Sequence, residues 1–330
     1  MLMVIFGAGA SYDSAPDFLP PQPQAGQQNF GPPPAPPNPR ESWRPPLATQ
    51  LFLDSNGEFG EIVRNYPKLL PILFHLRRPS SGRSVEEELE SWQAEASGDP
   101  ERKRQLFSVR YYLHDLLLKI TTEWLKRTSN VTNYVMLIDQ IRHLNAGNEP
   151  VCLVTFNYDL LLDRALLSFT SNTVPWERYF DAHPALKLFK PHGSVDWARF
   201  VDAPPNSRLG PQQLIEQADS IKLSSDYVVA NATEPNQMFK FERPMVPAIA
   251  IPVQTKTEDT FEWPPHHRAY LEELLPSVTK ILIVGWQAKE AHFLQMLRNK
   301  LPMRGRGVTH LFSSREESRR RLADPEILRS

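Results

Sequence analysis

The stretch that decides the fold is Val4–Ser11, which reads VIFGAGAS. An apolar run over Leu2–Phe6 leads into the small residues of Gly7–Ser11, and this pattern is typical of a buried strand that ends in a tight turn. Nucleotide-binding α/β units usually begin in this way. Glycines allow positive φ and a close backbone approach, and free amide hydrogens in such a turn can hold a pyrophosphate. Because no third glycine follows at the Rossmann spacing, a plain turn and a phosphate-binding turn both remain open.

Composition limits the class of protein. The 330 residues are 41% hydrophobic and 23% charged, which suits a soluble globular protein with a sizeable core. The net charge of −1 gives no global attraction to nucleic acid or to an anionic membrane, and no nucleic-acid-binding patch is evident. No apolar run approaches the roughly 18 residues of a membrane span, and a first strand at Leu2 leaves no room for a signal or transit peptide. We therefore expect a cytoplasmic protein.

Cys152 is the single cysteine of the sequence, and it lies in the apolar stretch PVCLVTF. One cysteine excludes a disulfide within this chain and a zinc site made of four cysteines. The strand context favours a buried, inert thiol, and a nucleophilic thiol is the alternative.

Prolines are unusually frequent, with 32 in the sequence, and they cluster at 16–46 in the run PPQPQAGQQNFGPPPAPPNP. Such a run cannot form the interior of a helix or strand. A disordered linker, a proline-motif ligand and a loop that covers a site are three interpretations. The segment leaves the glycine turn directly and returns at Arg44–Leu47, which favours the covering loop.

Residues 48–145 have a helical pattern, and we expect them to form a helical insertion. Ser84 and Glu87 have the capping-box spacing at the start of a helix over 84–96. Apolar residues recur on one helical face over Leu106–Leu125 and again over Val131–Leu144. These faces could pack on the sheet as a helical cap or could form contacts between subunits.

Apolar strands and helices alternate in the second half of the chain. Strands are predicted at 150–156, 186–189, 246–253, 280–286 and 308–312, whereas 202–245 is mixed and polar and is left unassigned. A solvated helix is predicted for the charged tail at 315–322. The alternation predicts an α/β fold with a Rossmann-like, doubly wound parallel sheet.

Polar residues follow three of the strands, at Ser11, at Asn157 with Asp159, and at His192. The carboxyl ends of parallel strands share one edge of a sheet, where ligands bind, so these residues are expected to meet. The alternatives are purely structural roles, namely a helix N-cap at Asn157 and Asp159 and an ordinary turn histidine at His192.

Several neighbouring polar residues have two possible roles each. Lys190 could be a solvated charge. Ser194 and Asp196 could cap the next element or support His192. Glu290 and His292 could contact the adenosine of a nucleotide or only face solvent. His266-His267 has no third ligand at metal spacing, so no metal site is predicted there.

The motifs FGAGAS, TFNYD and KPHGS, in this order, resemble the signature of sirtuin domains. The stretch IVGW at Ile283–Trp286 looks like the late strand and glycine turn on the adenosine side. RPPLATQLF at Arg44–Phe52 looks like the loop return of bacterial sirtuin-like proteins. The resemblance spans residues 4 to about 312 and implies one sirtuin-like domain over 1–330, with 48–145 as an insertion.

The resemblance implies NAD+ as the ligand, with no metal. It places the cofactor contacts at Gly7, Ala8, Gly9, Ala10, Ser11, Thr155, Gly193, Gly285 and Trp286. It places Asn157 and Asp159 beside the nicotinamide ribose, with His192 as the general base. The chemistry is reasonable without the family, because cleavage of the nicotinamide–ribose bond passes through an oxocarbenium-like state. An imidazole can take a proton near neutrality, an amide can orient water, and a carboxylate can bind ribose hydroxyls and stabilise the cation.

The single cysteine departs from protein-deacylating sirtuins, in which a zinc ribbon with four cysteines frames the acyl-lysine cleft. We therefore expect a fold without a zinc ribbon. The helical insertion and the proline-rich loop resemble sirtuin-like effectors of prokaryotic anti-phage defence, which hydrolyse NAD+ to ADP-ribose and nicotinamide in abortive infection. An NAD+ glycohydrolase is the preferred interpretation. An NAD+/ADP-ribose-binding module without turnover and an NAD-dependent protein deacylase are the alternatives.

A defence effector of this kind must be silent until it is triggered, since constant loss of NAD+ is toxic. No part of the sequence resembles a separate sensor domain. The resemblance therefore implies control by homo-oligomerisation, by a separately encoded partner that senses the trigger, or by both.

Overall fold

The computed structural model describes residues 1–15, 43–54, 58–79, 82–144, 149–167, 185–203, 207, 209–229, 243–253, 261–302 and 310–311. Most of the proline-rich segment and the tail helix predicted at 315–322 lie outside these residues. Where the chain is described, no helix has both the length and the apolar character that crossing a membrane requires.

Five strands form a parallel sheet in the order β3-β2-β1-β7-β8, and three more form an antiparallel sheet in the order β5-β4-β6. The strands are β1 Leu2–Phe6, β2 Val151–Thr155, β3 Leu186–Phe189, β4 Gly193–Val201, β5 Leu223–Val229, β6 Met245–Ile249, β7 Lys280–Val284 and β8 His310–Leu311. In the parallel sheet, Phe6 at the end of β1 lies opposite Thr155 on one side and Val284 on the other. The three strands therefore end level with one another, at a common edge.

Ten α-helices accompany the strands within the described ranges: α1 Ala8–Tyr12, α2 Phe59–Arg64, α3 Leu70–Arg77, α4 Val85–Glu95, α5 Pro100–Arg127, α6 Asn133–Leu144, α7 Leu161–Leu167, α8 Pro211–Glu216, α9 Pro265–Leu274 and α10 Ala291–Lys300. The fold is thus α/β, with helices flanking the parallel sheet, and it is consistent with a Rossmann-like architecture. Short helix α1 begins directly after Gly7, where the sequence predicted a turn.

Both faces of the parallel sheet are buried, which explains its continuous apolar strands. On one face, Met3 and Ile5 pack with residues of α9 and α10, such as Leu271 and Phe293. On the other face, the intervening residues of β1 pack with α6 and α7. Side chains of successive strand residues point to opposite faces, so β1 contributes to both cores.

The antiparallel sheet was not predicted. The predicted strand at 246–253 exists as β6, but it pairs with β4, which begins immediately after His192. β6 is an edge strand, so the missing N–H of Pro247 in its interior is tolerated. β5 falls in the stretch that the sequence left unassigned.

The helices α2–α5 fill most of the predicted insertion at 48–145. Ser84 Oγ accepts from Glu87 N at 3.2 Å, and a Glu87 carboxylate oxygen accepts from Ser84 N at 2.6 Å, which confirms the predicted capping box. The apolar face of α5 packs against the antiparallel sheet in one core, which includes Leu113, Val195 and Val246. The apolar face predicted at 106–125 is therefore core rather than a free contact surface.

Candidate functional site

The turns after β1 and β7 pack directly against each other. Gly7 N donates to Val284 O at 3.0 Å, and Gly9 N donates to Gly285 O at 3.1 Å. A Cβ on Gly7 would lie 2.6 Å from Trp286 Cα, and one on Gly285 would lie 2.2 Å from Ala10 N. The backbones therefore approach too closely for any side chain at these positions.

This packing gives a different reason for the first two glycines than a positive φ. Neither Gly7 nor Gly9 has a positive φ, whereas Gly285 does, at +64°. Gly7 and Gly9 are needed for contact with the second turn, not for a left-handed conformation. Ala8 and Gly9 are half-buried, so their backbone is the part of this turn closest to solvent.

Asn157, which follows β2, connects this strand end to the glycine turn. Its buried amide nitrogen donates to Gly7 O at 2.9 Å, to Ser11 Oγ at 2.8 Å and to Tyr134 OH at 3.1 Å. Its backbone N–H donates to Thr155 Oγ1 at 3.2 Å. An amide group has two N–H hydrogens, which these three acceptors share. The expected water-orienting role through this amide would therefore have to use its carbonyl oxygen.

Tyr134 is a member of this network that sequence reasoning missed. It lies at the start of α6, its hydroxyl is 2.9 Å from Ser11 Oγ, and burial raises the pKa of this tyrosine. The residue has no local signal, because its partners lie more than 20 residues away along the chain. Ser11 and Tyr134 thus bind Asn157 and fix the geometry of the edge.

Asp159 is buried and lies two residues before α7. Its Oδ1 accepts from Leu161 N at 3.0 Å, as the N-cap alternative predicted. Burial raises the pKa of this carboxyl, and Ser11 and the Lys190 ammonium oppose that shift. The Asp159 carboxylate lies in the same network as the glycine turn, and its bond to Leu161 N holds the backbone before α7 in place.

His192 follows β3 and lies in an aromatic pocket, 5% exposed. Its ring centroid is 4.8 Å from that of Phe156, 5.9 Å from Tyr158 and 5.7 Å from Phe261. Nδ1 is 3.0 Å from Phe156 O. Because a carbonyl oxygen only accepts, we assign a proton to Nδ1, so Nε2 is the nitrogen that can take up a proton when the ring is neutral.

The turn that carries His192 is fixed by a glycine and by backbone hydrogen bonds. Gly193 has a φ of +79°, and its N–H donates to Lys190 O at 3.0 Å. The carbonyl of His192 accepts from Ala250 N at 2.8 Å. Gly193 therefore holds the histidine in place through the backbone and offers no side chain to a cofactor.

Glu290 faces His192 and its side chain is only 14% exposed, so the alternative that it only faces solvent is wrong, whereas a contact with the adenosine stays a prediction. Its Oε1 lies 3.9 Å from His192 Nε2, and its Oε2 accepts from Trp286 Nε1 at 2.5 Å. Trp286 itself is buried, with its ring stacked on Phe156 at 5.2 Å. Trp286, which was expected on the adenosine side, is thus a core residue that positions the Glu290 carboxylate.

Lys190 is fully buried, so its interpretation as a solvated charge is wrong. Its Nζ donates to Asp159 O at 2.6 Å and to Asp163 Oδ2 at 2.9 Å. Asp196 belongs to the same cluster, and burial together with Asp163 raises the pKa of Asp196 to about 6. One ammonium group therefore binds the Asp163 carboxylate and lies close enough to Asp196 to affect its charge, near the base of the His192 turn.

Asp196 should make stability depend on pH. Its folded pKa of about 6 lies above its ordinary value of 3.8, so the folded state binds the proton more tightly. Its contribution to stability is present below pH 4 and is lost as the pH rises towards 6. We expect Asp196→Asn to raise the free energy of unfolding at pH 7.5 by about 1–2 kcal/mol relative to wild type. Urea unfolding at pH 4.5 and 7.5 checks this, and an equal effect at both values would contradict it.

Cys152 carries the single thiol of the chain. The thiol is buried in β2, and burial raises its pKa, which favours an inert side chain. Among the residues that the model describes, no three His, Cys, Asp or Glu side chains are grouped to hold a metal ion.

No protein-family model matches the sequence, and no curated protein matches it. The function therefore has to be inferred from the residues that meet at this edge. They are the turn over Gly7–Ser11, Asn157, Asp159, His192 and Glu290.

Proposed function

We propose that this chain is a sirtuin-like NAD+ glycohydrolase with a Rossmann-like, doubly wound fold, which cleaves NAD+ to nicotinamide and ADP-ribose. The observation that carries the proposal is the position of His192. The histidine follows β3 at the edge where β1, β2, β3 and β7 end, and the bond from Nδ1 to Phe156 O fixes the orientation of its ring. Ligands of open α/β sheets bind at such an edge, where the strand order reverses beside β1.

Each proposed role follows from the chemistry of the residue. His192 Nε2 accepts a proton from water or from a ribose hydroxyl while the bond to nicotinamide breaks. The Glu290 carboxylate, 3.9 Å from Nε2, favours the imidazolium that this transfer forms. The backbone at Ala8 and Gly9 is the part of the first turn that would meet the pyrophosphate.

The test is release of nicotinamide from NAD+ by wild type and by His192→Ala. We expect the variant to be at least 100-fold slower, because a general base contributes about 10²–10⁴-fold. His75→Ala is the matched control, since His75 is exposed on α3 and the variant should turn over at the wild-type rate. Equal rates for wild type and His192→Ala, with both proteins folded by circular dichroism, would refute the assignment of the base.

A binding module without turnover is the second candidate function. It is favoured by the hydrogen bonds within this chain that Ser11, Asn157 and Asp159 make. Calorimetry would then detect NAD+ or ADP-ribose, with no nicotinamide released. Formation of O-acyl-ADP-ribose from an acylated peptide would instead identify an NAD-dependent protein deacylase.

We also propose the biological setting that the family resemblance implied, a cytoplasmic effector of anti-phage defence that causes abortive infection. Control would come from homo-oligomerisation or from a separately encoded partner. The predicted apolar faces of α5 and α6 both pack in the core, and α6 in addition carries Met136, which is 52% exposed. α6 is therefore the better candidate for a contact surface.

A further inference from the structure

Two arginines share one carboxylate between α5 and the antiparallel sheet. Oε1 of Glu262 accepts from Nη1 of Arg110, on α5, at 2.7 Å, and Oε2 accepts from Nη1 of Arg199, on β4, at 3.3 Å. The hydroxyl of Tyr227, on β5, also donates to Oε2, at 3.2 Å. Glu262 is buried, and both of its carboxylate oxygens are occupied by these donors.

The charges of this cluster do not balance. A guanidinium group keeps its charge in proteins, so the two arginines carry two positive charges against the one negative charge of Glu262. Burial and the nearby Glu262 carboxylate raise the pKa of Tyr227, which is therefore neutral. Within the part of the chain that the structure describes, neither guanidinium lies at ion-pair distance from a second carboxylate. One positive charge thus remains without a counterion from the protein.

Arg110 uses only one corner of its guanidinium. Nη1 donates to Glu262 and also to Pro247 O, at 3.4 Å. Nε is buried and has no acceptor, and Nη2 has none among the described residues either. The Nε–H bond and the nearer N–H bond of Nη2 are parallel, and together they form the fork that binds both oxygens of a carboxylate. The fork of Arg110 therefore lacks the acceptor that its geometry suits.

The cluster is held in place and still reaches the surface. The guanidinium carbon of Arg110 lies 6.0 Å from the centre of the Phe107 ring, and that of Arg199 lies 5.2 Å from the centre of the Tyr227 ring. Arg199 Nε donates to Ser224 O at 3.0 Å. The side chains of Arg110 and Arg199 are 14% and 22% exposed, so solvent reaches both. A small anion can approach such a site without unfolding it.

We propose that Arg110 forms a binding site for a carboxylate group, which Nε and Nη2 bind through the two carboxylate oxygens. Arg199 supplies the second positive charge, so that Glu262 does not neutralise the site completely. A carboxylate carries the single negative charge that balances the cluster, whereas a phosphate monoester carries nearly two and would be repelled more strongly by Glu262. The carboxylate belongs to a small organic acid or to the carboxyl terminus of a peptide. None of the residues proposed for NAD+ cleavage takes part.

The test is a titration of the uniformly ¹⁵N-labelled protein with acetate at neutral pH and constant ionic strength, followed through the arginine Nε–H resonances in NMR spectra. The resonance of Arg110 is identified by its absence in Arg110→Lys. We expect it to shift and to saturate, because an acceptor binds directly to this N–H. Arg64 is the internal control, since it is exposed on α2 and its Nε already donates to Gly60 O at 3.0 Å. Its resonance should move little and without saturation.

Three variants, each checked by thermal melting, separate the fork from the charge, with the Arg199 Nε–H resonance as the readout. Arg110→Lys keeps the positive charge but removes the fork, and it should bind acetate at least about tenfold more weakly. Arg64→Lys should bind as wild type does. Glu262→Gln removes the competing negative charge and should bind at least about threefold more tightly, a gain that a purely structural ion pair does not give.

The source of the carboxylate is distinguished with N-acetyl-triglycine and its amide. Tighter binding of the free acid than of acetate, with no binding of the amide, identifies a peptide carboxyl terminus, whereas equal binding of the free acid and acetate identifies a small acid. The proposal is wrong if the Arg110 resonance does not saturate with acetate, or if Arg110→Lys binds acetate as wild type does. Saturation by inorganic phosphate at lower concentration than by acetate would also overturn it. None of these measurements depends on release of nicotinamide.

Discussion

Replacing Lys190 by methionine is expected to lower the free energy of unfolding by about 3–5 kcal/mol at neutral pH, because the change removes one partner of a buried ion pair. The Lys190 side chain is fully buried and its Nζ lies 2.9 Å from Asp163 Oδ2. The variant would leave Asp163 and Asp196 without their neutralising cation in a poorly solvated region. Methionine has a similar length, so the loss should come from charge rather than from packing.

Urea unfolding of wild type and Lys190→Met at pH 7.5 measures this effect. Lys126→Met is the matched control, because Lys126 is 66% exposed and pairs with Glu123 on the surface at 2.8 Å. That variant should change stability by less than about 0.5 kcal/mol. A loss in Lys190→Met no larger than in the control would mean that the buried cluster tolerates an unpaired carboxylate. The deficit should shrink below pH 6, where Asp196 takes up its proton.

Gly193→Ala is the second change with a large expected effect. A Cβ at this position would lie 1.9 Å from Ala248 O, and the φ of +79° is unfavourable for any residue with a side chain. Backbone strain costs about 1–3 kcal/mol and a forced shift of the neighbouring strand costs about as much again. We expect a total loss of about 3–5 kcal/mol in the free energy of unfolding.

Gly82→Ala separates the two contributions. Gly82 has a φ of +87°, but no atom lies within 4 Å of a Cβ placed there. This variant should therefore lose only the strain, about 1 kcal/mol. Chemical unfolding of both variants gives the comparison, and similar losses would show that β6 moves aside at little cost. Nicotinamide release by Gly193→Ala would also be expected to fall, since the same turn positions His192.

The parallel sheet could be predicted from the sequence alone, because its central strands are buried on both faces and carry continuous apolar runs. Val151–Thr155 and Lys280–Val284 lie where these runs predicted them. The sequence also predicted that Gly7, Asn157 and His192 lie at one edge, because parallel strands of similar length end at the same edge of a sheet. Local rules such as the capping box at Ser84 need only neighbouring residues.

The features that could not be predicted from the sequence depend on contacts between distant residues. Lys190 is charged and would ordinarily be solvated, and only the fold brings Asp163 and the carbonyl of Asp159 to it. Tyr134 gave no signal because its partners come from two other strand ends. The antiparallel sheet was missed because β5 is half-exposed and polar, so its apolar alternation is weak.

The packing of one glycine turn on the other changes how tolerance to mutation should be interpreted in this chain. Gly7 and Gly285 exclude side chains because each meets the backbone of the opposite turn, and a backbone cannot be substituted to make room. A descendant without the proposed activity would still need both glycines in order to fold. Loss of function at these two positions therefore reports on assembly of the sheet edge, whereas substitutions at His192 and Glu290 test the proposed function itself.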